Sequence, residues 1–267
     1  MMTNKTDDQI LACQQLSMHF GGLAALDQLD LKIREGEILG LVGPNGSGKT
    51  TFFNVVTGIY APTNGSVQFN GADITGFSSQ EVYRIGIART FQRSRLCLSL
   101  SIFDNLMIGN HKQLNHGLFY NLFRRQAFRR EYEKWVAEAQ KLLRIFNPDL
   151  SRGMFAEVAS FPMIDRRRIE ICRALIGKPH LLLLDEPSAG MTPDETRQLM
   201  DDILEIKQHA SGLTIIIIEH EMSVIKRISD RCVVLNFGRK LFEGTYAQMA
   251  ADNQVQEAYL GGEEIAA

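Results

Sequence analysis

Apolar residues fall into two kinds of run along this chain. In "LDLKI" (29–33) they alternate with polar residues, the period of a half-buried strand. "SVQFNG" (66–71), following the turn signal "PTNG", reads the same way. Three other runs are apolar almost throughout: "EILGLVG" (37–43), "HLLLLDEP" (180–187) and "LTIIIIEH" (213–220). Such uniform runs predict strands buried on both faces. Between the last two, "PDETRQLMDDILEIKQHA" (193–210) has helical periodicity and acidic residues in its first turn, where a helix N-terminus favours them. "RCVVLNFGR" (231–239) reads as a last strand and turn. Strand–helix–strand alternation of this kind predicts an α/β fold with a parallel sheet.

The middle of the chain breaks the pattern. From about Phe91 to Leu175 there is little strand signal, and "GLFYNLFRRQAFRREYEKWVAEAQKLLRIF" (117–146) is long, charged and helical. A helical block inserted between two parts of one sheet is the simplest organisation.

Charge and length add limits. The 29 Lys and Arg nearly balance the 31 Asp and Glu, so no nucleic-acid partner is expected. No apolar run approaches the roughly 20 residues of a membrane span, and "MMTNKTDDQI" lacks the apolar core of a signal peptide, so the chain is expected to stay in the cytosol. Four scattered cysteines, with no CxxC spacing, predict reduced thiols. The arginines 124, 125, 129 and 130 and the run Arg166, Arg167, Arg168 read as solvated helix faces, with anionic lipid headgroups as the alternative contact.

The chemistry begins at "GLVGPNGSGKTT". Residues 43–50 match G-x-x-x-x-G-K-[ST], preceded by a predicted buried strand and followed by a predicted helix (Thr51 to Val56). Gly43, Gly46 and Gly48 let backbone close around a phosphate, and Pro44, Asn45, Ser47 and Thr51 complete the loop. Lys49 is placed to reach the β and γ phosphates of ATP, and Thr50 to bind Mg²⁺. Asp185, at the end of a buried strand, can hold the same ion through water. Glu186 can orient or deprotonate an attacking water. His220 closes the next strand at the edge where α/β sheets bind ligands, placed to contact the γ-phosphate. Gln92, where the sheet gives way to the helical block, has an amide able to meet both Mg²⁺ and water.

Taken in order, the cradle at 43–51, Gln92, Asp185-Glu186, "SAGMTP" (188–193) and His220 resemble the nucleotide-binding subunits of ABC transporters over nearly the whole chain. Within them, "GIARTFQ" (86–92), the basic helical segment after "NLMIGNH" (105–111) and "VQEAYLG" (255–261) resemble the ATPases of branched-chain amino acid importers. The resemblance implies a P-loop ABC-type ATPase with a parallel core sheet, an N-terminal antiparallel β subdomain and an inserted helical subdomain. Residues 1–91 and 179–267 would form the ATP-binding core, and 92–178 the helical subdomain with the signature region. It places Phe20 against adenine. It implies transmembrane permease subunits, a periplasmic solute-binding protein, and a peripheral position on the cytoplasmic face of the membrane. Urea or amide importers, lipopolysaccharide-type exporters and soluble ABC ATPases are the alternatives. A P-loop kinase or GTPase would not need Gln92, "SAGMTP" and His220 together.

One departure matters. The family's Leu-Ser-Gly-Gly-Gln signature falls on Phe161, Pro162, Met163, Ile164 and Asp165. Pro162 has neither hydroxyl nor N–H, Ile164 replaces a glycine, and Asp165 replaces a neutral amide with a carboxylate. In the family this turn serves the ATP of the opposite subunit. The expectation is an asymmetric heterodimer with a second ATPase subunit carrying an intact signature.

Overall fold

The computed structural model describes residues 9–92, 94–111, 125–210 and 212–260. Residues 117–124 of the predicted long helix, with Arg124, lie outside them, as do residues 1–8 of the N-terminal decapeptide and Gly261 of the C-terminal motif. The chain divides into two compact units. The first takes in the described residues of Met1–Arg89, His180–Pro187 and His209–Ala267, and the second those of Thr90–Pro179 and Ser188–Gln208.

The first unit contains two sheets. Its strands are β1 (Gln9–Phe20), β2 (Leu23–Arg34), β3 (Ile38–Val42), β4 (Asn64–Phe69), β5 (Ala72–Asp73), β6 (Ile87–Arg89), β7 (Leu181–Asp185), β8 (Thr214–Ile218), β9 (Arg231–Asn236) and β10 (Arg239–Gly244). A four-stranded antiparallel sheet runs β2-β1-β4-β5, and a six-stranded sheet runs β10-β9-β3-β8-β7-β6. The second is parallel except for β10. All residues of β3, β7 and β8 are buried, which is why they read as unbroken apolar runs. The order β3-β8-β7 brings the carboxyl ends of these three strands side by side. β2 buries Leu29, Leu31 and Ile33 on alternate positions, as its period of two predicts.

Two elements depart from the sequence reading. β9 is not the last strand. The turn at Phe237-Gly238, with φ of 45° and 77°, folds the chain back into β10. Two successive positive φ values fit the twist of a two-residue hairpin. β1, which no periodicity marked, pairs with both β2 and β4, and its register shifts between Cys13 and Leu16, around Gln15 at φ 48°. That irregularity erases the alternation a strand would otherwise display.

The second unit is helical. Its long helix, Arg125–Phe146, turns Trp135, Ala139, Leu143 and Phe146 inward on an i, i+4, i+8 face and leaves Arg125, Arg129 and Arg130 exposed. It packs against the helices Pro148–Arg152 and Met163–Leu175.

The expectation of a solvated face fails for Arg167 and Arg168, which are buried. Arg167 pairs with Glu170 at 3.0 Å. Arg168 is held between two carboxylates, Asp165 at 3.0 Å and Asp202 at 2.8 Å. One partner comes from a helix far along the chain, which no local pattern reveals. Removing the cation leaves the buried Asp165 and the half-buried Asp202 without it, and losing one side of a buried pair costs about 3–5 kcal/mol. Arg168→Ala is expected to lower unfolding stability by that order, read as a shift of the urea midpoint. A midpoint unchanged from wild type would show that Asp165 and Asp202 are satisfied without it.

Candidate nucleotide site

β3 runs into the glycine-rich loop, and the loop into the helix Lys49–Val56. Gly43 sits at φ 143°, and a Cβ there would run into the carbonyl oxygen of Leu235. Only glycine lets the chain turn this close to β9. The helix begins at Gly48 (φ 106°), with no side chain capping its first amides. Those N–H groups, at the positive end of the helix, form an anion site. The hydroxyl of Ser47 is buried and has no hydrogen-bond partner. A loop with open amides and an unsatisfied hydroxyl fits a phosphate.

The loop is fixed from outside. The Gly238 N–H donates to the Ser47 carbonyl at 3.0 Å, and the Gly238 carbonyl accepts from the Asp27 N–H at 3.0 Å. The phenol of Tyr259 reaches the Gly43 backbone N–H; burial pushes it up to about 12 while that N–H works in the opposite direction. Beside the loop lies a cavity of about 740 Å³ lined by Pro44 to Ser47, Phe237 and Glu257 among others. Lys49 is buried, and its ammonium donates to the carbonyls of Gly43 at 2.6 Å and Pro44 at 2.9 Å. Burial lowers its pKa, and the charges of Glu186 and Asp185 oppose that shift. Thr50 is exposed at the head of the helix and Thr51 is half-buried.

The strand ends bring the remaining chemistry together. Asp185 is the last residue of β7 and pairs with Arg89 of β6 at 2.6 Å. Glu186 follows at φ 48°, a strained setting for a non-glycine residue, with its N–H donating to the Ile218 carbonyl of β8 at 3.0 Å. That kink turns the Glu186 carboxylate to His220, whose Nε2 lies 2.8 Å from Oε1. Lys49, Asp185, Glu186 and His220, singled out separately along the chain, thus belong to one unit and one sheet edge. Among the described residues no group of three His, Cys, Asp or Glu is placed to hold a metal. A divalent ion here would therefore lean on Thr50, Asp185 and the nucleotide's own phosphates, as Mg²⁺ sites do.

Phe20 ends β1 and is 43% exposed, so it is not a core residue. Its ring meets Tyr60 edge-to-face at 5.3 Å between centroids. Tyr60 was not marked by the sequence; an aromatic in a loop carries no pattern of its own. Gln92 belongs to the second unit, where its side chain is exposed and its carbonyl accepts from Arg167 at 2.7 Å.

The signature-position turn is also in the second unit and differs from expectation in which groups it shows. Pro162 caps the helix Met163–Leu175 with extended geometry, φ −65° and ψ 169°. Ile164 and Asp165 are buried, and Asp165 is committed to Arg168. Helical spacing turns 164, 165 and 168 inward together. The outward residues are Pro162 and Met163. The turn therefore shows neither a branched side chain nor a free carboxylate, but an apolar surface without side-chain donors.

The ABC transporter family description matches residues 26–189, more than half of the chain. The chain belongs to the ABC transporter ATP-binding family. A second description, the branched-chain amino acid ATP-binding cassette transporter C-terminal segment, matches residues 239–265 of this cassette. The cassette is 39% identical over 252 residues, 94% of its length and 98% of the relative's, to the high-affinity branched-chain amino acid transport ATP-binding protein LivG of Salmonella typhimurium. It is 37% identical over 252 residues, with the same coverage, to BraF of Pseudomonas aeruginosa, which carries the same description. Among solved structures, the ADP conformation of MJ1267, an ATP-binding cassette of an ABC transporter, superposes with a TM-score of 0.80 at 30% identity, covering 95% of this chain and 99% of that one. The cassette is an ATP-binding and hydrolysing subunit that works with membrane permease partners. Among its described residues no helix is long and apolar enough to cross a membrane.

Proposed function

We propose that this chain is the ATPase of an importer for branched-chain or related amino acids, lying at the cytoplasmic face of the inner membrane. The importer's permeases span that membrane, a periplasmic solute-binding protein delivers the substrate, and a second ATPase subunit completes a heterodimer. The matched C-terminal segment and the relatives' descriptions support the substrate class.

The observation that carries the chemistry is the Glu186–His220 contact at 2.8 Å, on the sheet edge that also holds the phosphate loop. In this reading residues 43–51 bind the phosphates and Phe20 stacks on adenine. Lys49 leaves the Gly43 and Pro44 carbonyls for the β and γ phosphates. Thr50 and Asp185 would hold Mg²⁺, which when bound would neutralise charge on the transferring phosphoryl group, and Gln92 keeps the Mg²⁺- and water-sensing role that its sequence position suggests. Glu186 takes a proton from the attacking water, and His220 orients that carboxylate and meets the γ-phosphate. Residues 1–91 and 179–267 serve as the ATP-binding core, and 92–178 as the helical subdomain.

Asymmetry follows from the turn at 161–165. The side chains of Pro162 and Met163 offer no hydrogen-bond donor to a partner's γ-phosphate, and one missing donor in such a site costs about 10²–10³ in rate. The purified chain alone is therefore expected to bind ATP yet hydrolyse it at least about 10²-fold more slowly than the complex with a second ATPase of intact signature. The measurement is phosphate release by the chain alone and by the co-purified complex, alongside leucine uptake into vesicles. A symmetric, ATP-dependent dimer of this chain with full turnover would sink the heterodimer.

A further inference from the structure

Asp185 does not stand alone at the end of β7. Its Oδ2 accepts from Nη2 of Arg89 at 2.6 Å, and the two side chains are only 6% and 5% exposed. The other guanidinium nitrogen, Nη1, donates to Asn54 Oδ1 at 2.7 Å, with Thr57 Oγ1 at 3.4 Å. The guanidinium also lies over the ring of Phe53, 5.2 Å from its centroid. Phe53 and Asn54 belong to the helix that begins at Lys49, and Thr57 is its C-cap residue. Arg89 thus joins the strand that ends in Asp185 to the helix that carries the phosphate loop. That contact fixes one carboxylate oxygen of Asp185, Oδ2, and leaves Oδ1 outside it.

A surface arginine would cover a carboxylate and compete with an ion for it. Here the planar fork is held on three sides, so it sets the plane and rotamer of the carboxylate rather than roaming over it. Carboxylates that ligate metals are themselves fixed by hydrogen bonds of this kind, and losing such a support typically costs about 10–100-fold in metal affinity. We propose that Arg89 is the positioning residue for the divalent ion at this site, holding Asp185 through Oδ2 so that Oδ1 is aimed at the metal and its waters. The proposal rests on the reading of Asp185 as a metal-holding residue.

The test uses the full chain with Mn²⁺ as a spectroscopic stand-in and a non-hydrolysable ATP analogue. Mn²⁺ affinity is read by electron paramagnetic resonance at saturating analogue, and analogue affinity is read separately in excess chelator. Arg89→Ala is expected to weaken Mn²⁺ by about 10–100-fold while leaving metal-free nucleotide binding as in the wild type. Arg89→Lys, which keeps the charge but loses the fork, is expected to fall between the two. Asn54→Ala, which frees the far side of the guanidinium without touching the buried pair, is expected to weaken Mn²⁺ in the same direction and to report even if Arg89→Ala does not fold. In a double-mutant cycle, Arg89→Ala added to Asp185→Asn is expected to cost nothing further.

Unchanged Mn²⁺ affinity in Arg89→Lys and Asn54→Ala, with Asp185→Asn impaired, would overturn the proposal and leave the ion pair a packing contact. Tighter Mn²⁺ binding in any Arg89 variant would overturn it differently, by showing that the arginine competes with the ion. Unchanged affinity in Asp185→Asn would sink the reading of Asp185 itself, and the proposal with it.

Discussion

Glu186→Gln is expected to leave ATP bound and nearly stop its hydrolysis. The substitution keeps the shape of the side chain and a group able to contact His220 Nε2, now 2.8 Å from Oε1. It removes only the capacity to accept a proton. General-base catalysis of this type contributes about 10²–10⁴-fold, so turnover in the assembled transporter should fall by that order while ATP affinity holds. The strained φ of 48° at Glu186 supports the assignment from another direction, because such settings persist where the position of a group matters more than its backbone comfort. The check is single-turnover hydrolysis beside equilibrium ATP binding. Turnover within a few-fold of wild type would move the base elsewhere.

Gly43→Ala is expected to weaken nucleotide binding strongly by deforming the cradle, not by touching the nucleotide. The added methyl would meet the Leu235 carbonyl of β9, a backbone atom that no rotamer change can move aside. Its φ of 143° adds backbone strain. Relief requires the loop or the strand to shift. At about 1–3 kcal/mol for the strain alone, the dissociation constant for ATP should rise by about 5- to 160-fold, and further once the clash is added. Gly46→Ala is the control in the same loop. Gly46 also has a positive φ, 78°, but a Cβ there meets nothing within 4 Å. It should lose affinity only through backbone strain, and so less than Gly43→Ala. Calorimetric titration of both variants decides the matter, and equal losses would show that conformation rather than the approach to β9 dominates.

The parts of the fold that were legible in the sequence are those whose causes are local. β3, β7 and β8 announce themselves because strands covered on both faces need apolar residues at every position. The phosphate loop is legible because its glycines and lysine sit within eight consecutive residues. What escaped has distant causes. β6 is three residues long and β10 is half-exposed, so neither carries a periodic signature. β1 is interrupted at Gln15. Arg168 looked like surface because its second partner, Asp202, lies 34 residues away. Arg89 looked like nothing at all, since Asp185 is 96 residues further on. Asp165 stands in the sequence as a carboxylate in place of a neutral amide, and its pairing with Arg168, three residues later, shows only in the fold.

The hairpin turn at Phe237-Gly238 extends the meaning of the phosphate motif. Gly238 touches Ser47 on one side and Asp27 on the other, so an eight-residue loop is splinted by residues from both sheets of its unit. The disorder such a loop would otherwise have is removed when the chain folds, not when a nucleotide arrives. Binding free energy then goes undiminished into holding phosphates, because preorganisation has taken the ordering cost out of the binding step. A motif of the same letters on a slack loop would be a weaker site, and the difference would be written some 190 residues downstream of it.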